Sequence, residues 1–365
     1  MSNALQRGHL HRDDSIDGDR LTGLDLVRGI AAFAVVILHA DEGMRLAPIG
    51  WTVMLNLAAF AVPFFLAASF YLTVGKWVNR PTAPNWRSRC LRLVIPYAIW
   101  SGIYLSQDIL RALLKHQPEQ LVRLLAQLPA IVFLGQAGFH LYFIPLLLTG
   151  TGCIAVLVPW LKQRWSVSKR IGFVIASLIL YQIYRSVVYP DAVSLLQDGD
   201  SGLLILVSVL GYAVRCLPYI AIAFLLNHTS IRSYFNNFCR KNIIFLSLLF
   251  ILLVFIQVPH SIQAVRELSL GYSAVFLALG LSAVIPTQPW IRSLGDCSFG
   301  IYLMHLLGVE LLWSLLTRLG LPSGIFPLWL PLGVALIGFG VSWGITAIAL
   351  RQPRISKLMF GVAGS

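Results

Sequence analysis

The sequence predicts an all-α protein that crosses a membrane as a polytopic helical bundle of about ten spans. Hydrophobic residues make up 57% of the 365 residues, and the mean hydropathy is +0.76. Charged residues make up only 12%, whereas soluble domains carry about 25%. Apolar stretches long enough to cross a bilayer as helices recur along the whole chain. The loops between them are too short to hold a second folded domain.

Ten apolar stretches are predicted to form the spans. The fourth contains Pro145 and several glycines, and the seventh has only sixteen residues, so these two fit a regular spanning helix least well. The stretches are 23–41, 51–75, 91–110, 140–161, 171–189, 202–226, 243–258, 268–286, 297–317 and 326–349.

Basic residues are concentrated on one of the two sides that these spans define. With the N-terminus in the cytoplasm, cytoplasmic segments hold 19 of the 28 Lys and Arg residues and the outer loops hold six. Arg28, Arg185 and Arg215 fall within spans. This bias predicts cytoplasmic N- and C-termini in a multi-pass protein of the cell inner (plasma) membrane. The net charge of +13 then follows from topology and requires no nucleic acid.

The chain is predicted to form one domain with two short tails. Residues 1–20 read as a disordered cytoplasmic tail, 21–350 as a single transmembrane domain, and 351–365 as a cytoplasmic C-terminal tail. The first apolar stretch is too long for a signal-peptide core, so it is predicted to remain as an uncleaved span. The five cysteines are scattered without metal-ligand spacing, so we expect no disulfide and no metal site.

The first span contains two residues that are costly to bury, Arg28 and His39. Eleven residues advance an α-helix by three turns and about 20°, which places both side chains on one face about 16 Å apart. They indicate either a polar channel inside the bundle, or a headgroup contact for Arg28 and an interfacial position for His39. Asp25 is expected to pair with Arg28 across one turn.

Five segments carry further polar residues in a characteristic order. They are 24–39 (LDLVRGIAAFAVVILH), 63–72 (PFFLAASFYL), 87–97 (RSRCLRLVIPY), 140–144 (HLYFI) and 294–305 (LGDCSFGIYLMH). Together these segments resemble the membrane-bound acyltransferase-three family, multi-span enzymes that O-acylate surface polysaccharides and related glycans. Phe70, Tyr142, Ile144 and Phe299 depart from the family pattern.

The resemblance implies roles for residues in four of these segments. The implied catalytic residues are His39, Arg28 and His305; the donor-binding residues are Arg87, Arg89 and Arg92; and the channel residues are Asp25, His140, Tyr142, Ser298 and Tyr302. Chemistry leaves alternatives open: clustered guanidinium groups suit a polyphosphate but also anionic lipid. Ser, Tyr and His on one stripe can equally hold helices together.

The activity that the resemblance implies is O-acyl transfer, of a group other than an aminoacyl group, across the membrane. The donor would be cytoplasmic acetyl-CoA or another acyl-CoA, with no tightly bound cofactor. The acceptor would be a hydroxyl of a cell-surface polysaccharide or lipid-linked sugar. His39 would act as general base or transient acyl carrier. Membrane lipids and polysaccharide-assembly proteins are the expected partners.

Two other classes of protein remain compatible with these residues. A glycan exporter would also line a path with Arg, His and Glu, although the sequence has no visible internal repeat of the transporter kind. A non-catalytic member of a polysaccharide-assembly complex is the second alternative. Glu310, inside the ninth span, is expected to pair with Arg185 or Arg215.

Overall fold

The computed structural model describes residues 20–42, 44, 46–78, 85–162, 165–188, 201–320 and 326–362, and the regular elements within these ranges are helices joined by short turns and loops. The predicted N-terminal tail lies outside the described residues except for Arg20. The helices are α1 (Thr22–His39), α2 (Trp51–Ala58), α3 (Ala61–Val78), α4 (Trp86–Leu114), α5 (Pro118–Ala126), α6 (Leu128–Leu134), α7 (Phe143–Leu161), α8 (Val167–Ile183), α9 (Ser201–Leu226), α10 (Thr229–Lys241), α11 (Ile243–Phe255), α12 (Gln263–Leu281), α13 (Pro289–Arg318), α14 (Trp329–Ala349) and α15 (Pro353–Phe360). The prediction of an all-α membrane bundle is confirmed.

The described residues contain eight helices that are long and apolar enough to cross a membrane, or nine if one bent pair forms a single span. The bent pair is α10 with α11, which meet at 86°. Predicted span 243–258 corresponds to α11, whose 13 residues are too few to cross a bilayer alone. Predicted span 91–110 lies within the 29-residue α4, which is long enough but carries arginines near both ends.

Contacts between helices fix their relative directions. Asp25 meets Gly295 near the starts of α1 and α13, and the Trp313 indole donates to the Ala40 carbonyl, 2.8 Å away, near their ends. The two helices are therefore parallel. The Tyr104 hydroxyl on α4 donates to the Leu303 carbonyl at 2.8 Å.

Helices α7 and α12 run in the opposite direction. Arg89, near the start of α4, contacts Thr151, which lies near the middle of α7 and not in its first turn. Gly23, at the start of α1, donates its amide to Ser282 just after the end of α12, at 3.0 Å. The bundle thus has one end where α1, α4 and α13 begin, and a second end where α7 and α12 begin.

The C-terminal segment is also packed onto the bundle. Helix α15 lies within the predicted tail, and Trp100 on α4 donates to the Met359 carbonyl at 3.0 Å. Gly361 adopts a left-handed conformation with φ of 64° and touches the Arg92 backbone. Arg20 and the segment 353–361 therefore lie toward the same end of the bundle, where α4 and α13 begin.

Close approach between α1 and α12 depends on glycine. A β-carbon on Gly23 would overlap the Ala278 carbonyl oxygen and the Ser282 amide nitrogen. Small residues at such contacts let transmembrane helices pack by van der Waals contact, since lipid provides no hydrophobic drive for association. Backbone atoms cannot move aside as a flexible side chain can.

We predict that Gly23→Ala destabilises the protein by about 1–3 kcal/mol, the usual cost of overpacking a core. The matched control is Gly152→Ala on the exposed side of α7, because a β-carbon at Gly152 would have no atom within 4 Å. Thermal unfolding of both detergent-solubilised variants gives the comparison. Equal melting temperatures for the two variants would contradict the tight α1–α12 contact.

Candidate active site

Three histidines from three helical segments meet at the end of the bundle where α7 begins. His39 closes α1, His140 lies in the 3-10 turn Phe139–Tyr142 before α7, and His305 lies on α13. The ring centroids of His39 and His305 are 5.4 Å apart and stack at 29°, and those of His140 and His305 are 5.0 Å apart. We call these residues the histidine cluster.

One hydrogen bond holds the backbone at His140, and a second orients the ring of His305. The Tyr302 hydroxyl donates to the His140 carbonyl at 2.5 Å, which ties the 3-10 turn to α13. His305 Nδ1 lies 2.7 Å from the Tyr302 carbonyl. Because a carbonyl only accepts, Nδ1 carries the proton and Nε2 of neutral His305 is left as an acceptor.

Several ring nitrogens in the cluster lack a protein partner. His305 is 0% exposed and His140 is 2% exposed. Among the described residues, His305 Nε2 and both ring nitrogens of His140 make no hydrogen bond. Buried polar atoms in folded proteins are nearly always paired. These nitrogens are therefore suited to bind a polar group that enters the bundle.

His39 is held by a carboxylate that the sequence reasoning missed. Its Nδ1 lies 3.1 Å from Oε1 of Glu42, three residues further on, and both side chains are partly exposed. A carboxylate accepting from Nδ1 favours the tautomer with a free Nε2. The i,i+3 spacing was the available signal, but Glu42 lies beyond the predicted span. Asp41 accepts from the Trp51 indole at 2.8 Å, which joins this loop to α2.

The polar stripe predicted on α13 divides into two parts. Tyr302 and His305 reach the histidine cluster, whereas the Ser298 hydroxyl donates to the Gly295 carbonyl of its own helix at 2.8 Å. Ser298 is buried one turn below Tyr302 and does not reach the three imidazole rings. Tyr142 is half-buried beside the cluster and lies within electrostatic range of Tyr302.

Arg28 lies toward the opposite end, within an ion network that joins α1 to α13. Its Nη1 is 3.4 Å from Asp25 Oδ1, so the expected pair is present. The other oxygen of Asp25 is 2.5 Å from Arg20 Nε, and Arg20 Nη2 is 2.8 Å from Asp296. Arg28 thus shares its carboxylate with Arg20, and only part of the Arg28 charge is neutralised by it.

The three arginines near the start of α4 lie in different surroundings. Arg87 and Arg92 are exposed, whereas Arg89 points into the bundle and donates to Ser69 at 2.9 Å and to Thr151 at 3.4 Å. Among the described residues Arg89 has no carboxylate partner. Thr151 is eleven residues beyond His140, or about 16 Å of helix. Arg28 is separated from His39 by the same rise.

The expectation that Glu310 pairs with Arg185 or Arg215 is wrong. Glu310 faces α4, where it accepts from Gln107 at 2.7 Å and pairs with Arg111. Arg185 and Arg215 instead pair with Glu267 on α12. Glu267 fell one residue before a predicted span, so hydropathy did not mark it as a buried charge.

Most of the chain matches a known protein family. Residues 21–348, from just before α1 to the last turn of α14, match a family model described as an acyltransferase domain. Neither a curated protein nor a solved structure matches the chain. Within the described residues, no group of three or more His, Cys, Asp or Glu side chains is arranged to hold a metal ion.

We predict that Tyr302→Phe destabilises the protein by about 1–3 kcal/mol, because the buried His140 carbonyl loses its donor. The matched control is Tyr234→Phe, since Tyr234 is 75% exposed on α10. Thermal unfolding of the two variants in the same detergent measures the difference. If Tyr302→Phe unfolds at the control temperature, the bond does not hold the 3-10 turn.

Proposed function

The chain belongs to the acyltransferase family whose model covers residues 21–348, and from that premise we propose that it is an integral-membrane O-acyltransferase. It transfers an acyl group, acetyl in the simplest case, from cytoplasmic acyl-CoA to a hydroxyl of an extracytoplasmic sugar or polysaccharide. The product is an acyl ester on a cell-surface glycan or its lipid-linked precursor.

The observation that carries this proposal is the contact of His39 with both Glu42 and His305. Glu42 Oε1 lies 3.1 Å from His39 Nδ1, and the His305 ring stacks on the His39 ring with the centroids 5.4 Å apart. A fixed imidazole with a free Nε2, supported by a carboxylate, is the arrangement that general base catalysis requires. The unpaired ring nitrogens of His140 and His305 lie beside His39, where they can hydrogen-bond to the polar reacting groups.

In the direct mechanism His39 activates the acceptor. Nε2 takes the proton of the sugar hydroxyl while its oxygen attacks the thioester carbonyl carbon. The new carbon–oxygen bond forms, the carbon–sulfur bond breaks, and the CoA thiolate takes the proton from the imidazolium. Glu42 stabilises the positive charge that His39 carries in between.

In the two-step mechanism His39 Nε2 itself attacks the thioester. An acyl-imidazole forms as the carbon–sulfur bond breaks, and the CoA thiolate takes the proton that Glu42 removes from Nδ1. The sugar hydroxyl then attacks the acyl carbon, the carbon–nitrogen bond breaks, and the imidazole takes the hydroxyl proton, which gives the same ester. Both routes use the same residues. Rapid mass analysis of the intact protein at neutral pH, after incubation with acetyl-CoA and no acceptor, distinguishes them, since only the second route leaves an acyl group on the wild type that is missing from His39→Asn.

The donor is proposed to enter from the end of the bundle where α4 begins. Arg87 and Arg92 are exposed there, and Arg89 lies deeper without a carboxylate partner among the described residues. Guanidinium groups bind phosphate oxygens in forked pairs, and CoA carries a diphosphate and a further phosphate. Arg28 lies at a comparable depth and would orient the donor or stabilise developing negative charge.

This assignment makes the α4 end cytoplasmic, with both termini inside, and the histidine cluster extracytoplasmic. It agrees with the distribution of basic residues. It also fits the chemistry, because acyl-CoA is made inside the cell and surface glycans present their hydroxyls outside. The acyl-pantetheine arm would pass about 16 Å along the bundle, from the level of Arg28 and Arg89 to His39. A polysaccharide-assembly protein would present the acceptor.

We predict that His39→Asn abolishes the acyl ester on the surface glycan, since loss of a general base costs about 10²–10⁴-fold in rate. Mass spectrometry of glycan from a deletion strain complemented with wild type or with His39→Asn makes the comparison. The control is His116→Asn, because His116 is exposed and its φ of 52° suits asparagine.

An ester present with wild type and His116→Asn, and absent with His39→Asn at equal membrane abundance, supports the proposal. Equal acylation in all strains excludes acyl transfer to that glycan. A glycan that reaches the surface only when the protein is present would instead identify an exporter.

We predict that Arg89→Gln raises the KM for acetyl-CoA about 10- to 100-fold, which corresponds to the loss of one charge-assisted hydrogen bond of about 1.5–3 kcal/mol. The control is Arg240→Gln, which removes a charge from the exposed side of α10. Steady-state kinetics in vesicles of fixed lipid composition separate donor binding from lipid anchoring. An equal effect of both substitutions would show that Arg89 contributes only general positive charge.

A further inference from the structure

A second polar cluster, centred on Glu267, lies apart from the histidine cluster on α9, on α12, and on α8 with the π-helical turn Tyr184–Val188 that follows it. One carboxylate oxygen accepts from Arg215 Nε at 2.9 Å, from Arg215 Nη2 at 2.6 Å and from the Tyr219 hydroxyl at 3.1 Å. The other accepts from the Tyr181 hydroxyl at 2.7 Å and from Arg185 Nη1 at 3.3 Å. A carboxylate offers about four lone-pair sites. Glu267 has no capacity left to bind a ligand.

The arginines of this cluster, in contrast, are only partly satisfied. Arg185 and Arg215 share the single negative charge of Glu267. Arg185 Nε is buried and makes no hydrogen bond among the described residues. Arg266, on the same stretch of α12, donates to two backbone carbonyls at the end of α11. Two guanidinium groups thus pair with the Glu267 carboxylate and a third lies beside it, so among the described residues the cluster has a surplus of positive charge.

A cavity of about 250 Å³ borders these side chains. Arg185, Arg215 and Arg266 form its polar wall, and Ala59 and Pro63, at the break between α2 and α3, form part of its apolar wall. Pockets for drug-sized ligands span about 300–1,000 Å³. This cavity thus fits one sugar ring or an ionic group, and it is too small for a whole acyl-CoA.

The cavity lies at the level of the histidine cluster. Ser282 contacts Gly23 at the start of α1, and Glu267 lies fifteen residues before Ser282, about 22 Å along α12. His39 lies sixteen residues after Gly23, about 24 Å along α1.

We propose that this cavity binds an anionic oxygen group, a carboxylate or phosphate, of the acceptor, and so selects acidic glycans or phosphorylated sugar carriers. The assignment to the acceptor rests on the proposed function. An anionic group would neutralise this charge inside the cavity, whereas an uncharged sugar would leave it to solvent and counterions. Guanidinium forks from two helices match the oxygen geometry of carboxylate and phosphate.

Direct binding to the purified full-length protein in neutral detergent tests this proposal. The probes are glucuronate, glucose 1-phosphate and uncharged glucose, and calorimetric titration gives each Kd. We expect at least one anionic probe to bind the wild type at least tenfold more tightly than glucose. Arg185→Gln should weaken that binding at least tenfold, and Arg240→Gln, on the exposed face of α10, should leave it unchanged.

Equal binding of charged and uncharged probes, or no binding of any probe, overturns the proposal. If Arg185→Gln does not fold, the discrimination by wild type alone decides. Nanodiscs with and without phosphatidylglycerol identify the source of the anion. If the sugar probes no longer bind when phosphatidylglycerol is present, the cavity binds lipid headgroups and the acceptor assignment is overturned. Unchanged binding of the sugar probes supports the acceptor assignment. No acyl donor is present in this assay, so a failure of acyl transfer would not alter its result.

Discussion

Every polar group inside this bundle must find its partner within the protein, because the surrounding lipid offers none. Arg28 shares Asp25 with Arg20, and Arg20 in turn holds Asp296 on α13. The same requirement explains why Glu267 gathers two arginines and two tyrosines from neighbouring helices. These networks determine which helix faces which, since apolar packing against lipid-like side chains is far less selective.

Buried polar groups that have no protein partner among the described residues are the best candidates for catalysis and binding. The ring nitrogens of His140 and His305 Nε2 have no partner among the described residues, although both rings are buried. Within the part of the chain that the structure describes, Arg89 donates only to hydroxyl groups, and Arg185 has an unpaired Nε. Each of these groups can be satisfied by a polar or anionic molecule that enters the bundle. Chemistry and binding are therefore expected at these positions and not at the saturated carboxylate of Glu267.

Sequence reasoning succeeded where the information is local. Apolar runs located the spanning helices with most ends within about five residues, although α13 begins eight residues before its predicted span, and helix periodicity correctly paired Asp25 with Arg28. It missed Glu42 and Glu267, because both lie just outside a predicted span, where a carboxylate is expected to be in water. It also assigned Glu310 to the wrong arginines, since hydropathy marks a buried charge without indicating the direction in which its helix face points.

The sequence by itself therefore determined which segments leave water, since transfer of apolar side chains into a bilayer depends on composition over about twenty neighbouring residues. Its motifs also indicated the family. Only the tertiary structure decided which polar residues meet. Arg20 and Asp296 are 276 positions apart in the chain, and the hydroxyl of Tyr104 reaches a carbonyl 199 positions away. Contacts of this kind depend on the rotation and depth of each helix in the bundle, which are set by packing among several helices at once and leave no periodic pattern in any one of them.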